Sequence, residues 1–545
     1  MITNLDKPKE NWASKSIVYQ IYPRSFFDTN NDGIGDIRGI IRKLDYLNDG
    51  TDQSLGINVV WINPIYKSPQ DDFGYDISDY YSIDPLFGDL QTFTRLIEEL
   101  HRRGMRLVMD FVPNHTSHEH PWFLESRSSR ENPKRNWYIW RDPKPDGSPP
   151  NNWLSVFGGS AWTLDETTHQ YYLHSFLKSQ PDLNWRNQEV KDEMIKIFKF
   201  WIHRGVDGFR TDAVYHLIKD ADFRDDPPNP DYVPGVHEPY FSLLHTYSAG
   251  QKELYETANA LCQVLGEHEE RFMVSEAYLD IPAMEKMYNA CENNLHAPLN
   301  FNLLRMPWEA QEYKKFIDEF NKKLGPENVP NYILGSHDRP RIASRMGPEK
   351  ARLAAMIVFS LRGMPFIYYG DELGMEDVSI PKEATVDPWS ETLPGFHVGR
   401  DPERTPMQWN TEKNAGFSKA EPWLPVGKNF GVINAEAQMQ DQKSFFSLYR
   451  TLIHLRKNSP TLLSGGYEPH EIMEKQIFSF IRVGDKEKIF VVLNFSNEIQ
   501  NIASQKFDSA KLLASTHMDH ATPEKQVSLK SYSLRPYEGC MFLVL

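Results

Sequence analysis

The stretch VKDEMIKIFKFWIHRGVDGFRTD, residues 190–212, reads as one building unit of a larger fold. Its first part is amphipathic, with apolar residues returning every three or four positions, and it ends at Gly205, as helices often do. DGFRTD, from Asp207, then reads as a short strand that stops on an acidic residue. The same alternation runs outward in both directions. SIVYQIYP (from Ser16), VVWINP (from Val59) and RLVMDF (from Arg106) are strands before it. RFMVSE (from Arg271), APLNFN (from Ala297), YILGSHD (from Tyr332) and PFIYYGDE (from Pro365) follow it. LQTFTRLIEELHRRG (from Leu90) and PEKARLAAMIVFSLRG (from Pro348) are helices of the same kind. Eight strands alternating with helices predict an α/β protein built on a closed parallel (β/α)8, or TIM, barrel. An open doubly wound sheet competes, but the first strand–helix turn holds no GxGxxG.

Two stretches break the alternation. Residues 114–179, after the third strand, are rich in Pro, Asn, Ser and Trp, and too long for an ordinary connection. They are expected to form a small inserted subdomain. Residues 378–428, after the eighth strand, form a second long, Pro-rich insertion. From about Leu463 the pattern changes to short alternating strands, KQIFSFIRV, KIFVVLNFS and SYSLRPYEGCMFLVL, as in an antiparallel β-sandwich. The expected division is a barrel over 1–113 and 180–462, an insert over 114–179 and a sandwich over 463–545.

Composition narrows the partners. A formal charge of −15 argues against nucleic acid and anionic membranes. Aromatics make up 13% of the 545 residues, enough to supply stacking faces for sugar rings as well as a core. The beginning, MITNLDKPKENWASKS, has no apolar run of the signal-peptide kind, and no stretch is long enough to span a bilayer. Cys262, Cys291 and Cys540 are scattered and odd in number, so reduced thiols in a cytoplasmic protein are expected. The expected partner is a small carbohydrate, and the protein a monomer or homodimer.

The chemistry lies at the strand ends, where barrels of this kind place their sites. The third strand gives Asp110 and then Asn114-His115, the fourth Arg210 and Asp212, the fifth Glu276, and the seventh His337-Asp338. Charged groups ending apolar strands are costly unless paired or used. A retaining glycosidase needs one carboxylate as nucleophile and one carboxylic acid beside the leaving oxygen, about 5–5.5 Å apart. Adjacent strands could bring Asp212 and Glu276 together in this way. Arg210 lies two residues before Asp212, on the same side of the strand, and is expected to keep it ionised.

These segments carry a resemblance. DFVPNH, GFRTDAV, VSEAYL and GSHD are similar to the four signature segments of the α-amylase family of glycoside hydrolases (family 13). QPDLNW, from Gln180, resembles its fifth segment as found in the oligo-1,6-glucosidase and α-glucosidase branch. The resemblance implies a retaining α-glucosidase with Asp212 as nucleophile, Glu276 as acid/base and Asp338 steadying the sugar. It implies His115 and His337 as hydroxyl-binding histidines, and Tyr75 with Asp76, in DFGYDISDYY, as the pair that stacks and binds the terminal glucose. Arg400, in GRDPERTPMQW, is expected to join Asp76 at the blind end of a one-glucose pocket. Phe157 and Phe176 match aromatics that line the pocket in relatives. Ala213, after the nucleophile, leans towards α-1,4 over α-1,6 linkages. A sucrose isomerase or glucosyltransferase of the same fold is the alternative, although the chain has no RLDRY-like motif. A non-catalytic relative is a further alternative, but such chains lose the carboxylates kept here.

DTNNDGIGD, Asp28–Asp36, offers the side chains of Asp28, Asn30, Asp32 and Asp36 and the carbonyl of Ile34 at alternate positions. Hard oxygen donors so spaced suit Ca²⁺, with Mg²⁺ possible. The loop resembles a structural metal loop of the same glucosidase branch. A polar turn capping the next helix is the competing reading.

Overall fold

The computed structural model describes residues 12–393, 395–396, 399–519 and 526–544. All eight barrel strands are present: β1 (Val18–Ile21), β2 (Val59–Ile62), β3 (Arg106–Phe111), β4 (Gly208–Thr211), β5 (Phe272–Ser275), β6 (His296–Pro298), β7 (Asn331–Ile333) and β8 (Met364–Tyr368). They form one parallel sheet in which β8 returns to pair with β1. Between β6 and β7 a side chain stands where a ladder would be. The buried Asn331 amide accepts from the Asn300 N–H and donates to the Pro298 carbonyl, both at 2.8 Å.

The strands are short and buried on both faces, which is why they read as nearly unbroken apolar runs. Gly208 is required at the start of β4, since a Cβ there would lie 2.5 Å from the Phe272 carbonyl oxygen on β5. The helix Leu90–Arg102 is capped by Asp89, which accepts from the Thr92 N–H, and buries Phe93, Leu96, Ile97 and Leu100 against the barrel. The helix Gln188–His203 is capped by Asn187 and buries Met194, Ile197, Phe198 and Trp201. Trp201 is wholly buried, and its truncation to Ala would cost about 3–5 kcal/mol.

Residues 114–179 carry a helix, Pro121–Ser128, and a three-stranded antiparallel sheet of Trp140–Arg141, Gln170–Leu173 and Trp162–Asp165. A small core of Ile139, Trp153, Ala161, Trp162 and Leu173 holds part of it. The buried pair Lys219–Asp182, at 2.6 Å, and the Lys219 bond to Asn114 at 3.0 Å tie its base to the loop after β4. The C-terminal region is a six-stranded antiparallel sheet accompanied by a two-stranded one, with its own core around Ile481, Phe490, Val492 and Phe542.

The cysteines depart from expectation. Cys262, in helix Leu254–Gly266, and Cys291, just past helix Ile281–Asn289, form a disulfide with Cα atoms 5.9 Å apart; Cys540 is free and buried. The two helices follow successive strands, so barrel topology makes them neighbours despite 29 residues of separation. Among the described residues, no helix is long and apolar enough to cross a membrane.

Candidate active site

The parallel register builds the site. Asp110 on β3 stands opposite Arg210 on β4, and Thr211 opposite Ser275 on β5. The ladder continues one residue past the strands: the Asp212 N–H donates to the Phe111 carbonyl and the Glu276 N–H to the Thr211 carbonyl, each at 2.8 Å. Asp212 and Glu276 are therefore side by side on neighbouring strands. One buried guanidinium holds them together. Arg210 Nη1 donates to Asp212 Oδ1 at 2.6 Å and to Asp110 Oδ1 at 2.7 Å, while Nη2 donates to Glu276 Oε2 at 2.6 Å. The chain then turns through Ala213 in the left-handed region, φ 46°, a strain of about 1 kcal/mol for a residue with a side chain. That turn aims the Ala213 N–H at Glu276 Oε2, 3.2 Å away.

This arrangement corrects one expectation. Arg210 does not hold Asp212 below the usual carboxylate range, because one positive charge serves three carboxylates. Burial raises the Asp212 carboxyl well above its ordinary value; Arg210 opposes this, and Glu276 and Asp110 reinforce it. Asp212 thus retains a proton more readily than an isolated carboxylate would.

Asp338 has the opposite environment. Arg404 Nη2 lies 2.8 Å from its Oδ1, Arg400 Nη1 3.4 Å from the same atom, and His337 Nε2 3.0 Å from Oδ2. Burial pushes its carboxyl up, but His337, Arg404 and Arg400 together hold it well below the ordinary value. Gln20 Nε2 donates to His337 Nδ1 at 2.8 Å, so the imidazole proton is on Nε2, facing the Tyr75 hydroxyl at 2.8 Å and Asp338. Burial lowers both His337 and His115 to about 4, and both are neutral near neutrality. Tyr75 stacks on His337 with ring centroids 5.6 Å apart.

The blind end is closed by a different residue from the one expected. Arg400 Nη2 donates to Asp72 Oδ1 at 2.8 Å, not to Asp76. Asp76 is turned away and binds its own loop: it accepts from the Asp71 N–H at 2.8 Å, the Asp72 N–H at 3.0 Å and Ser68 Oγ at 2.9 Å. Gly74, at φ 105° and packed under the Pro64 carbonyl, makes the turn that sends Asp72 and Asp76 to opposite sides. Asp387 completes the clamp, accepting from Arg400 Nη2 at 2.8 Å, Nε at 3.0 Å and the backbone N–H at 2.5 Å. Burial is outweighed there by Arg400, and the Asp387 carboxyl falls to about 2.

A cavity of about 530 Å³ opens over this floor. Tyr75, His115, Phe157, Phe176, Asp212, Ala213, Glu276, His337, Asp338 and Arg400 all line it. Arg210 lies beneath the lining and Asp76 outside it. Phe157 faces Arg400 at 5.2 Å and Trp389 at 5.4 Å; Phe176 faces His115 at 5.1 Å. Asp72, Asp387, Arg404 and Trp389 were not singled out from the sequence. Arg404 carried a signal, since GRDPERTPMQW holds two arginines on one short turn, Asp401–Arg404 with Arg400 at its start. Asp72 sits on a loop, and Asp387 and Trp389 at the start of the short helix Pro388–Thr392, which is too brief to show a period.

The Asp28–Asp36 loop lies apart from the cavity. Asp28 accepts from the N–H groups of Asn30, Asn31 and Gly33 and from Ser418 Oγ; Asp32 accepts from the Ile34 N–H; Asp36 caps the helix Ile37–Arg42 through the Gly39 N–H. The capping reading is therefore realised at Asp36. Thr29 donates to both oxygens of Asp36 as well, so Asp28 and Asp36 are fully hydrogen-bonded and a hard divalent cation would displace some of these donors; the carboxylate, amide and carbonyl oxygens are of the type such an ion takes.

A (β/α)8 barrel with a carboxylate pair at the ends of β4 and β5, and a third carboxylate at the end of β7, defines a glycoside hydrolase. Residues 20–465 match the family model described as alpha amylase, catalytic domain, and the chain belongs to the α-amylase family, in its oligo-1,6-glucosidase and α-glucosidase branch. It is 38% identical to an oligo-1,6-glucosidase of Parageobacillus thermoglucosidasius over 97% of this chain and 99% of that one. Among solved structures it is similar to the α-glucosyl transfer enzyme XgtA, with TM-score 0.90 and 34% identity over 98% of this chain and 100% of that one. It is also similar to the trehalulose synthase MutB of Pseudomonas mesoacidophila MX-45, with TM-score 0.88 and 34% identity over 99% and 100%.

Proposed function

We propose that the protein is an exo-acting, retaining α-glucosidase that removes terminal non-reducing α-glucose from short oligosaccharides. The observation that carries this is the sharing of Arg210 by Asp212 and Glu276 on adjacent strands, beside a pocket closed by Asp72, Asp387 and Arg400. Asp212 attacks the anomeric carbon as Glu276 gives its proton to the departing oxygen, leaving a glucosyl ester on Asp212. Glu276 then takes a proton from water, which attacks the same carbon and frees Asp212. A sugar in place of that water gives transglucosylation. Asp338, fixed by Arg404 and His337, stabilises the positive charge that develops on the ring. The small Ala213 beside the nucleophile favours an α-1,4 preference.

The Asp28–Asp36 loop is proposed to hold a structural Ca²⁺ through Asp28, Asn30, Asp32, the Ile34 carbonyl and Asp36. Such an ion would stiffen a junction, because Gly33 packs directly on the Glu421 carbonyl of the distant 378–428 insertion.

Turnover of p-nitrophenyl α-glucoside and maltose, with NMR of the first-formed anomer, tests the reading. The expected product is α-glucose, with a loss on the order of 10⁴-fold in Asp212→Ala. Wild-type turnover in that variant, or initial release of β-glucose, overturns it. The likeness to a trehalulose synthase favours a second reading, isomerisation of sucrose, which isomaltulose or trehalulose among the products would establish.

A further inference from the structure

The guanidiniums at the floor and blind end of the cavity are saturated. Arg210 and Arg400 each meet three carboxylates, and Arg404 meets Asp338. Two others line the same cavity and are not. Arg339 follows Asp338 in the loop after β7, and Arg305 ends the short helix Asn302–Arg305 that follows β6. Among the described residues, no carboxylate oxygen lies within 4.0 Å of either guanidinium. Arg339 is half-buried, and its Nε is buried without a hydrogen-bond partner.

Both arginines flank one ring. Tyr278, two residues past Glu276, has Arg339 at 5.4 Å and Arg305 at 5.9 Å from its centroid, and its other neighbour is Phe301 at 4.6 Å. Glu238 lines the cavity as well, and its charge reaches Arg339 without contact. The patch is therefore an aromatic ring with two cations that touch no carboxylate and feel Asp338 and Glu238 only at a distance, in a chain whose overall charge is −15. A half-buried guanidinium with no counter-ion favours an oxyanion as ligand. Glu276 delivers its proton to the leaving oxygen, so a group beside Tyr278 faces the aglycone and not the glucose held by Arg400.

We propose that Arg339 and Arg305 form an aglycone subsite for an oxyanion, so that the preferred substrates are α-glucosides whose leaving group carries a carboxylate or a phosphate. This rests on the α-glucosidase reading above and names the substrate class of that site. Arg339 binds the anion at the inner edge of Tyr278, and Arg305 closes on it from the solvent side.

Calorimetric titration of the Asp212→Asn variant with maltose, maltobionate and maltose phosphorylated on O6 of its reducing glucose tests the subsite without turnover. The expected result is at least about tenfold tighter binding of an anionic ligand than of maltose, and the better of the two anions identifies the source of the charge. Adding Arg339→Gln or Arg305→Gln should bring that ratio towards one, while maltose affinity changes by less than about threefold. Equal affinities for charged and neutral ligands, or variants that weaken all three ligands alike, would overturn the proposal. Wild-type hydrolysis of maltose is read separately: its absence would sink the hydrolase reading, whereas the binding ratios alone decide the subsite.

Discussion

Asp72 and Asp76 stand four residues apart in one loop, and the structure gives them unrelated work. Asp72 faces the cavity, binds Arg400 at 2.8 Å and accepts from Gln180 Nε2 at 3.0 Å. In Asp72→Asn one oxygen becomes an N–H₂ group, which must confront one of those two donors. A hydrogen bond to a charged group contributes about 1.5–3 kcal/mol. Losing the bond to Arg400 and one to a glucose hydroxyl lowers kcat/KM by about 3–6 kcal/mol, or roughly 10²–10⁴-fold. Arg400 stays anchored by three bonds to Asp387, so the fold and thermal midpoint should hold. Asp76→Asn should do the reverse. It keeps an oxygen for Ser68 and the Asp72 N–H but orphans the Asp71 N–H, for a stability loss of about 1–3 kcal/mol and less than about a tenfold change in kcat/KM. Initial rates on p-nitrophenyl α-glucoside and calorimetric unfolding of both variants give the comparison. If Asp76→Asn loses more activity than Asp72→Asn at an unchanged thermal midpoint, the assignment of the blind end to Asp72 is wrong.

The remaining predictions concern protons, thiols and metal. Asp110 is one of the charges that raise Asp212, so Asp110→Asn should move the acid limb of kcat/KM to lower pH; a pH–rate profile that shifts upward contradicts the electrostatic account. Stability of the wild type gains from Asp338 only while it is ionised, since its folded value is depressed. That gain is present above the unfolded value near 4 and is lost as the pH falls through the folded one, so Asp338→Asn should reduce the acid dependence of unfolding. Denatured, unreduced protein should titrate one thiol per chain, that of Cys540, and three after reduction. Calcium at about a hundred times its dissociation constant should stabilise the fold by about 2.7 kcal/mol, and Asp32→Asn should weaken that response in a thermal-shift titration.

What the sequence discloses follows from how each part is encoded. Parallel barrel strands are buried on both faces, so β2 as VVWI and β5 as FMVS announce themselves as apolar runs, and the first polar groups after them mark the mouth of the barrel. Asp212 and Glu276 are legible for that reason, because each directly follows its strand and the ladder reaches it; Asp338 stands further past β7 and is marked by its motif, GSHD. Asp72, Asp387 and Arg404 are held by loops, where direction depends on single turns such as the one at Gly74, and no period separates Asp72 from Asp76. The disulfide lies between these cases. Its cysteines are 29 residues apart, one on the helix that follows β4 and one just past the helix that follows β5, and successive helices of a barrel are neighbours. Topology alone would have paired them, had spacing been measured across the barrel wall and not along the chain.

The same distinction explains where this enzyme's specificity sits. Strand ends fix the carboxylates relative to one another through a backbone ladder that reaches Asp212 and Glu276, so the chemistry tolerates little variation. The blind end depends on two loops meeting at Arg400, the one that carries Asp72 and the 378–428 insertion that carries Asp387 and Arg400 itself, with Phe157 of the 114–179 insert against it. Arg339 lies on the loop after β7 and Arg305 at the end of the helix Asn302–Arg305. A change of substrate can therefore be made by exchanging loop residues around a fixed pair of carboxylates, and the charge of the aglycone is the property that such exchanges at Arg339 and Arg305 control.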